Sequence, residues 1–397
     1  MTATARPVGV AGTAGADGEG GAVEVVEVPV PVRLRGPEAW AVHGTVAVDR
    51  AVVAEIYGHT DLATDPDMVV STMTAQQQYA RVVRLVAVAA GTRDVLGRAM
   101  VRLPQQSNTH SATVYVGVDP AHRGRGVGGA LWNRSMELVR AAGRRVVLAD
   151  SSFAAEPPPG PGALEAPTGS GRVPREDPTT RFALARGFVL EQVVRHSVLE
   201  LPVDPARLDR LRDGAPRRHD DYALHVWHDE VPEKWIEQFA VLETRMSTDA
   251  PSAGLEVEED PWDAERVRDA SRAIHDRGRR YLIVVAEHTP SGTLAAFSMV
   301  SYPLDRPEVV YQEDTLVLRE HRGRRLGMLV KIAVLDELAR ARPAARRVHT
   351  WNAEENEHML AINVALGFAP AGVDAEWQLR LTSSASATVD PCNHTAE

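Results

Sequence analysis

At 397 residues, with 44% hydrophobic and 25% charged side chains, the chain is too long for one ordinary core and has the composition of a globular protein of two domains. It contains no run of about 18 or more apolar residues, which argues against a membrane span, and its net charge of −10 argues against general nucleic-acid binding. The one cysteine, Cys392, sits in a polar tail, so no disulfide framework is expected and a cytoplasmic location follows.

Residues 1–22 are rich in Ala and Gly and lack the apolar core of a secretory signal, so they are expected to be a disordered extension. A first domain over 23–203 opens with an alternating strand, Val25 to Leu34. Helical segments follow at Ala51 to Ile56 and around Gln76 to Tyr79. Strands then read at Val82 to Ala90, Leu96 to Leu103 and Ala112 to Val118. A helix over Val127 to Ala142 and a strand at Arg145 to Ala149 come next. Residues 151–171, with Pro157-Pro-Pro-Gly-Pro-Gly162, predict a flexible surface insertion. Asp177 and Pro178 open a short helix that Gly187 ends, and a strand runs from Val189 to Leu201. Residues 204–220, bracketed by Pro202 and Pro216, predict a linker.

A second domain over 221–382 repeats the order. Strands are expected at Tyr222 to Trp227, Tyr281 to Glu287, Leu294 to Tyr302, Val309 to Leu318 and Arg347 to Thr350. Helices are expected at Pro232 to Arg245, Asp263 to Arg277, Leu326 to Ala341 and Ala353 to Leu366. Asn352 and Glu355 stand at capping-box spacing before the last helix. A Ser/Ala/Thr tail, 383–397, is expected to be disordered.

The repeat is sharpest at two basic turns. His122-Arg-Gly-Arg-Gly-Val-Gly128 and His321-Arg-Gly-Arg-Arg-Leu-Gly327 each follow a strand and precede a long helix. Orphan backbone N–H groups at a helix N-terminus, small residues that permit close approach and nearby arginines make a phosphate site. Gly124-x-Gly126-x-x-Gly129, with Asp150 further on, also fits a dinucleotide fingerprint. Against that reading, Pro120 to Arg123 separate the strand from the glycines, and the segment follows an antiparallel-looking meander. The second copy also breaks the fingerprint while keeping its basic residues.

These features resemble the GNAT family of acetyl-CoA-dependent N-acyltransferases, over nearly the whole chain and twice over. Arg123, Gly126 and Gly128 match the family's Arg/Gln-x-x-Gly-x-Gly/Ala loop. Arg322 and Gly327 match it in the second copy, where Arg325 replaces the middle glycine. Met246, Asp249-Ala-Pro251, Gln312-Glu-Asp-Thr315 and Thr350-Trp-Asn-Ala-Glu-Glu-Asn356 through Gly367-Phe368 resemble tandem bacterial members similar to mycothiol synthase. The resemblance implies a mixed α/β fold: two tandem domains, each a mostly antiparallel mixed sheet flanked by helices. It implies acetyl-CoA along Val116 and Val118 and on Arg123, Gly124, Arg125, Gly126, Val127, Gly128 and Gly129. In the second domain the corresponding residues are Leu316, Val317, Leu318, Arg322, Gly323, Arg324, Arg325, Leu326 and Gly327. Asn356 is a candidate contact from the following helix; Asn352 is another, although it suits a helix cap better.

Acyl transfer to an amine needs a base, a polarised carbonyl and a protonated leaving thiolate. Glu313 is the favoured base and Asp314 the alternative, because alternation along a strand lets one of them face the cleft. Their counterparts, Val114 and Tyr115, offer no carboxylate, so catalysis is expected in the second domain. The tyrosine that serves the family as general acid is replaced by Asn363 and by Ala183. No nucleophile elbow and no ligand spacing for a metal is present. The expected partner is a small-molecule amine, with the oligomeric state open between monomer and homodimer. The alternatives are a non-catalytic acyl-CoA-binding protein and a nicotinamide oxidoreductase.

Overall fold

The computed structural model describes residues 22–31, 33–75, 77–213 and 221–382. The expected extension 1–22, apart from Ala22, and the expected tail 383–397 lie outside these residues, as do Gln76 and residues 214–220.

The first unit contains β1 (Val23–Glu27), α1 (Trp40–Tyr57), α2 (Pro66–Thr74), β2 (Ala80–Ala89), β3 (Val95–Pro104), β4 (Ser111–Val118), α3 (Val127–Ala141) and β5 (Val146–Phe153). A hairpin of β6 (Ala163–Glu165) and β7 (Arg172–Pro174), then α4 (Pro178–Leu184) and β8 (Val189–Glu200), complete this half. After α5 (Pro205–Asp213) the second unit runs through β9 (Tyr222–His228), α6 (Ile236–Asp249), α7 (Ala264–Asp276), β10 (Arg279–His288), β11 (Thr293–Pro303) and β12 (Val309–Val317). It ends with α8 (Leu326–Ala341), β13 (Arg347–Ala353), α9 (Glu357–Leu366) and β14 (Ala369–Arg380).

Twelve strands form one sheet in the order β1-β2-β3-β4-β5-β14-β8-β13-β12-β11-β10-β9. The pairs β4–β5 and β12–β13 are parallel; every other pair is antiparallel. The closing strands are exchanged: β14, from the end of the chain, lies against β5, and β8 lies against β13. Helices cover both faces, which is why β2 and β10 read as nearly continuous apolar runs. In the first unit α3 lies on one face through Val127 and Leu131, and α1 and α2 on the other through Val42, Val46 and Val69. In the second unit α8 covers one face through Leu326, Val330 and Leu338, and α6 and α7 the other through Phe239, Leu242 and Val267.

Three expectations change. Residues 151–171 are not a structureless insertion. They finish β5 and form β6, which pairs with β7, and Ala163 and Ala166 are buried. The linker begins as helix α5, whose Leu208 joins the core under α8 and α9. The helix expected around Gln76 to Tyr79 lies earlier, where Asp65 caps α2 by accepting from the Met68 N–H at 2.7 Å.

Candidate functional site

Each basic turn joins a strand to a long helix. In the first, Gly124 and Gly126 adopt φ of +74° and +82°, left-handed values that glycine accepts without strain. No atom lies within 4 Å of where a Cβ would stand on Gly124, Gly126 or Gly323, so the space above both turns is open. Arg325 occupies the place of Gly126 and takes the same left-handed conformation, φ +60°. Its guanidinium donates to the Leu211 carbonyl on α5 at 3.2 Å, so the side chain runs away from the turn. Arg322 pairs with Asp249 at 2.8 Å and also donates to the Val317 carbonyl, and Arg123 pairs with Glu55 at 2.6 Å. Each turn is thus tied to the last part of a helix on the other face of its sheet.

The strands that feed the turns splay. β4 meets β5 only over Ser111–Thr113, and β12 meets β13 only over Val309–Tyr311. Beyond those points one edge of each strand has no strand neighbour, and Val116, Val118, Leu316 and Val317 lie along these edges, with Leu318 just beyond. The two strands differ on their other side. β3–β4 pairing is regular from Arg102–Thr113 to Gly97–Val118. In β11–β12, Val300 faces Gln312 and Ser298 faces Thr315, so Glu313 and Asp314 together face Met299. This β-bulge leaves one residue outside the ladder. The Gln312 amide pins it, donating to the Met299 carbonyl at 2.7 Å and to Ser298 Oγ at 3.1 Å, and the buried Lys331 donates to Gln312 Oε1 at 3.2 Å. Burial lowers the Lys331 amine to about 7.

Because of the bulge, Glu313 and Asp314 line the same cavity; simple alternation, which lets only one of them face it, does not hold here. The cavity is about 380 Å³, within the rough 300–1,000 Å³ range of small-molecule sites. Val231, Phe239, Trp262, Ile283 and Met299 give it apolar walls, and Glu243 of α6 adds a third carboxyl. Burial and then Glu313 raise Asp314 to about 6. Burial, Asp314 and Glu313 raise Glu243 to about 8 against the opposing effect of Arg266. Ser301 Oγ donates to Glu313.

Three arginines line the same cavity. Arg266 is engaged: Asp260 accepts two hydrogen bonds from it, at 2.8 and 2.5 Å, and its guanidinium lies over Trp262 and Tyr79. Arg277 and Arg102 make no guanidinium hydrogen bond or ion pair among the described residues, and Arg277 Nε is a buried donor without a partner. Arg102 belongs to β3, so the first unit supplies part of the wall. Tyr79 and Gln78 of the first unit hold that wall in place by donating to Asp269 of α7 at 3.0 and 2.8 Å.

The first unit's splay is furnished differently. Tyr115 is hydrogen-bonded to Asp150, which burial raises to about 6. Asp374 and Glu376 of β14 stand beside it and are each raised to about 7, mainly by burial.

Asn352 and Asn356 are placed otherwise than expected. Asn352 lies on β13 and accepts from Asn363 Nδ2 at 2.6 Å. The cap of α9 is Asn356, whose side chain accepts from the Met359 N–H at 3.2 Å, because β13 runs on to Ala353 and delays the helix. Sequence reasoning missed Glu243, Arg102 and Arg277, each of which reads as an ordinary surface charge on its own element.

Residues 55–156 match the family described as Acetyltransferase (GNAT) family. That match lies within the first unit, and the chain as a whole has a fold similar to that of tandem GNAT proteins. It is similar to a tandem GNAT protein from the clavulanic acid biosynthesis pathway, solved without acetyl-CoA. The two share 26% identity over 91% of this chain and 100% of that one, with a TM-score of 0.70. Two further likenesses concern the fold alone. A GCN5-related N-acetyltransferase from Sphaerobacter thermophilus gives a TM-score of 0.54 at 15% identity, covering 90% and 95% of the two chains. Saccharomyces cerevisiae N-myristoyltransferase with bound myristoyl-CoA gives 0.51 at 10%, covering 90% and 79%. No curated protein matches the chain. Among the described residues no helix is long and apolar enough to cross a membrane.

Proposed function

We propose that the second unit transfers an acetyl group from acetyl-CoA to the primary amine of a small molecule, by direct attack in a ternary complex. The bulge at Glu313–Asp314 carries the reading: it lies on the open stretch of β12, before the phosphate-type turn, and heads the cavity. The thioester supplies an electrophilic carbonyl and a thiolate leaving group. The N–H groups from Gly323 to Gly327, with Arg324 beside them, hold its phosphates. A backbone N–H released by the bulge donates to the carbonyl oxygen as charge develops there. Asp314 takes the proton of the amine, its pKa of about 6 suiting a base that works near neutrality. Glu313 sustains that basicity from the adjacent position. Asn363 cannot donate a proton as a tyrosine does, so solvent protonates the thiolate. The first unit, with a complete turn but no bulge, serves as a second acetyl-CoA site or as scaffold.

The test is thiol release from acetyl-CoA with a panel of amines. Asp314→Asn is expected to lower kcat by about 100- to 10,000-fold while acetyl-CoA affinity is retained. kcat should fall as pH drops through about 6, where Asp314 becomes protonated, and Glu313→Gln should move that limb to lower pH. Loss of turnover in Glu313→Gln alone would instead make Glu313 the base, and normal turnover in both variants would place the base elsewhere. A second reading, acyl-CoA binding without turnover, draws on Asn363 and Ala183; binding with no thiol release from any amine would establish it.

A further inference from the structure

The cavity ahead of the bulge is lined by groups of both charges. Glu313, Asp314 and Glu243 contribute its carboxyls. Arg277 and Arg102 line it as well, and their guanidiniums make no hydrogen bond or ion pair among the described residues; Glu313, Asp276 and Asp65 act on Arg277, and Asp260 on Arg102, only through space. Arg266 does not share this condition, since Asp260 satisfies its fork. A buried guanidinium nitrogen without a partner, as at Arg277 Nε, is costly to maintain, because desolvation is not offset by a hydrogen bond. A planar fork of donors matches a carboxylate in two-point geometry. A ligand carrying only ammonium groups answers the three carboxyls and leaves two guanidiniums facing it.

We infer that the acceptor is an amine that also bears a carboxylate, an amino-acid-like zwitterion, its amine toward Glu313 and Asp314 and its carboxylate on Arg277 and Arg102. The inference rests on the acyl-transfer reading only for the direction of the amine. The mixed charge of the lining sets selectivity in this account. It also gives the first unit a role in substrate choice, because Arg102 comes from β3.

Calorimetry on the full chain, saturated with coenzyme A, should compare the common amino acids, ornithine and 6-aminohexanoate with matched amines lacking the carboxylate, such as 1,5-diaminopentane and hexylamine. At least one carboxylate-bearing amine should bind about 10- to 100-fold tighter than its matched amine, as expected for a charge-assisted bond in a confined site. Arg102→Ala and Arg277→Ala should each erase most of that preference by weakening the zwitterion, not the carboxylate-free amine, and retain the wild-type circular dichroism. Arg277→Lys, which keeps the charge but loses the fork, should be intermediate. Equal or tighter binding of the carboxylate-free amines, or no binding by any member of either set, overturns the inference. A preference that survives both alanine variants overturns it too. Thiol release measured on the same panel separates the two claims. Binding of a zwitterion without release refutes acyl transfer and leaves the ligand class standing; release with carboxylate-free amines alone refutes the class and leaves acyl transfer standing.

Discussion

Glu243 shows how a single side chain reports on its surroundings. On α6 it reads as one more helix-surface acid, yet it lines the cavity together with two further carboxyls. Burial first, then the charges of Asp314 and Glu313, raise its pKa from 4.5 to about 8. Between those values the folded protein binds the proton and the unfolded chain does not, so stability falls as pH rises across that window and levels off above it. Glu243→Gln removes the titration without changing the shape of the side chain. The expected outcome is a Tm close to wild type at pH 5 and an advantage for the variant that grows toward pH 8 and then stays constant. Thermal melts across that range check it; an advantage largest at pH 5 contradicts the assigned environment. Arg102 and Arg277 escape sequence reasoning for the same reason as Glu243. A charged residue on the polar phase of a strand or at the end of a helix signals solvent unless another part of the chain is known to cover it.

At the level of elements, legibility follows local determinants. α8 begins at Leu326 and ends at Ala341 as its periodicity and Pro343 predict, and α4 has the Asp177 cap and Pro178 start that its sequence requires. β14 was not legible. Asp374 and Glu376 interrupt its apolar pattern because they face the splay of the other unit. The bulge in β12 was equally hidden, since a register shift arises from pairing with β11 and leaves no mark on either strand alone. The turn before α8 lies between these cases: its place at a strand-to-helix junction was readable, but Arg325 left its geometry open. A left-handed conformation costs an ordinary L-residue roughly 1–2 kcal/mol, and β-branching makes it worse. Arg325→Gly should therefore stay within about 1 kcal/mol of wild type, relief of strain being offset by greater freedom of the unfolded chain. Arg325→Val should lower Tm measurably and weaken coenzyme A binding at the second turn. Denaturant melts and calorimetry on both variants test this, and a Val variant as stable as the Gly variant would mean that the turn relaxes out of the left-handed region.

Across the whole molecule, the two units share one sheet through their last strands. β14 pairs with β5 along eight positions, from Val373–Phe153 to Arg380–Val146, and β8 pairs with β13 along seven. Trp377 of β14 is buried at 1% exposure in the first unit's core and donates to Ser151 Oγ at 2.8 Å. A polar chain crosses the same seam. Asp61, from the loop after α1, accepts from Arg347 at 2.6 Å and is hydrogen-bonded to His349 at 3.3 Å, and His349 in turn meets His196 at 3.0 Å. Arg347 and His349 hold the Asp61 carboxyl well below the usual range, with burial opposing them. Such a seam is not the contact of two finished domains, because each half lacks the strand that covers the edge of its β5 or β13. Open edges of that kind invite pairing with other chains. Breaking the chain between Asp213 and Asp221 should therefore give halves that aggregate or self-associate when made singly, and a soluble one-to-one complex when made together. The intact chain should melt in a single cooperative step, seen alike by far-ultraviolet circular dichroism and tryptophan fluorescence. A monomeric half that melts cooperatively on its own would show that β8 or β14 can close its own unit, and the exchange would then be a preference of the linked chain, not a requirement of the fold.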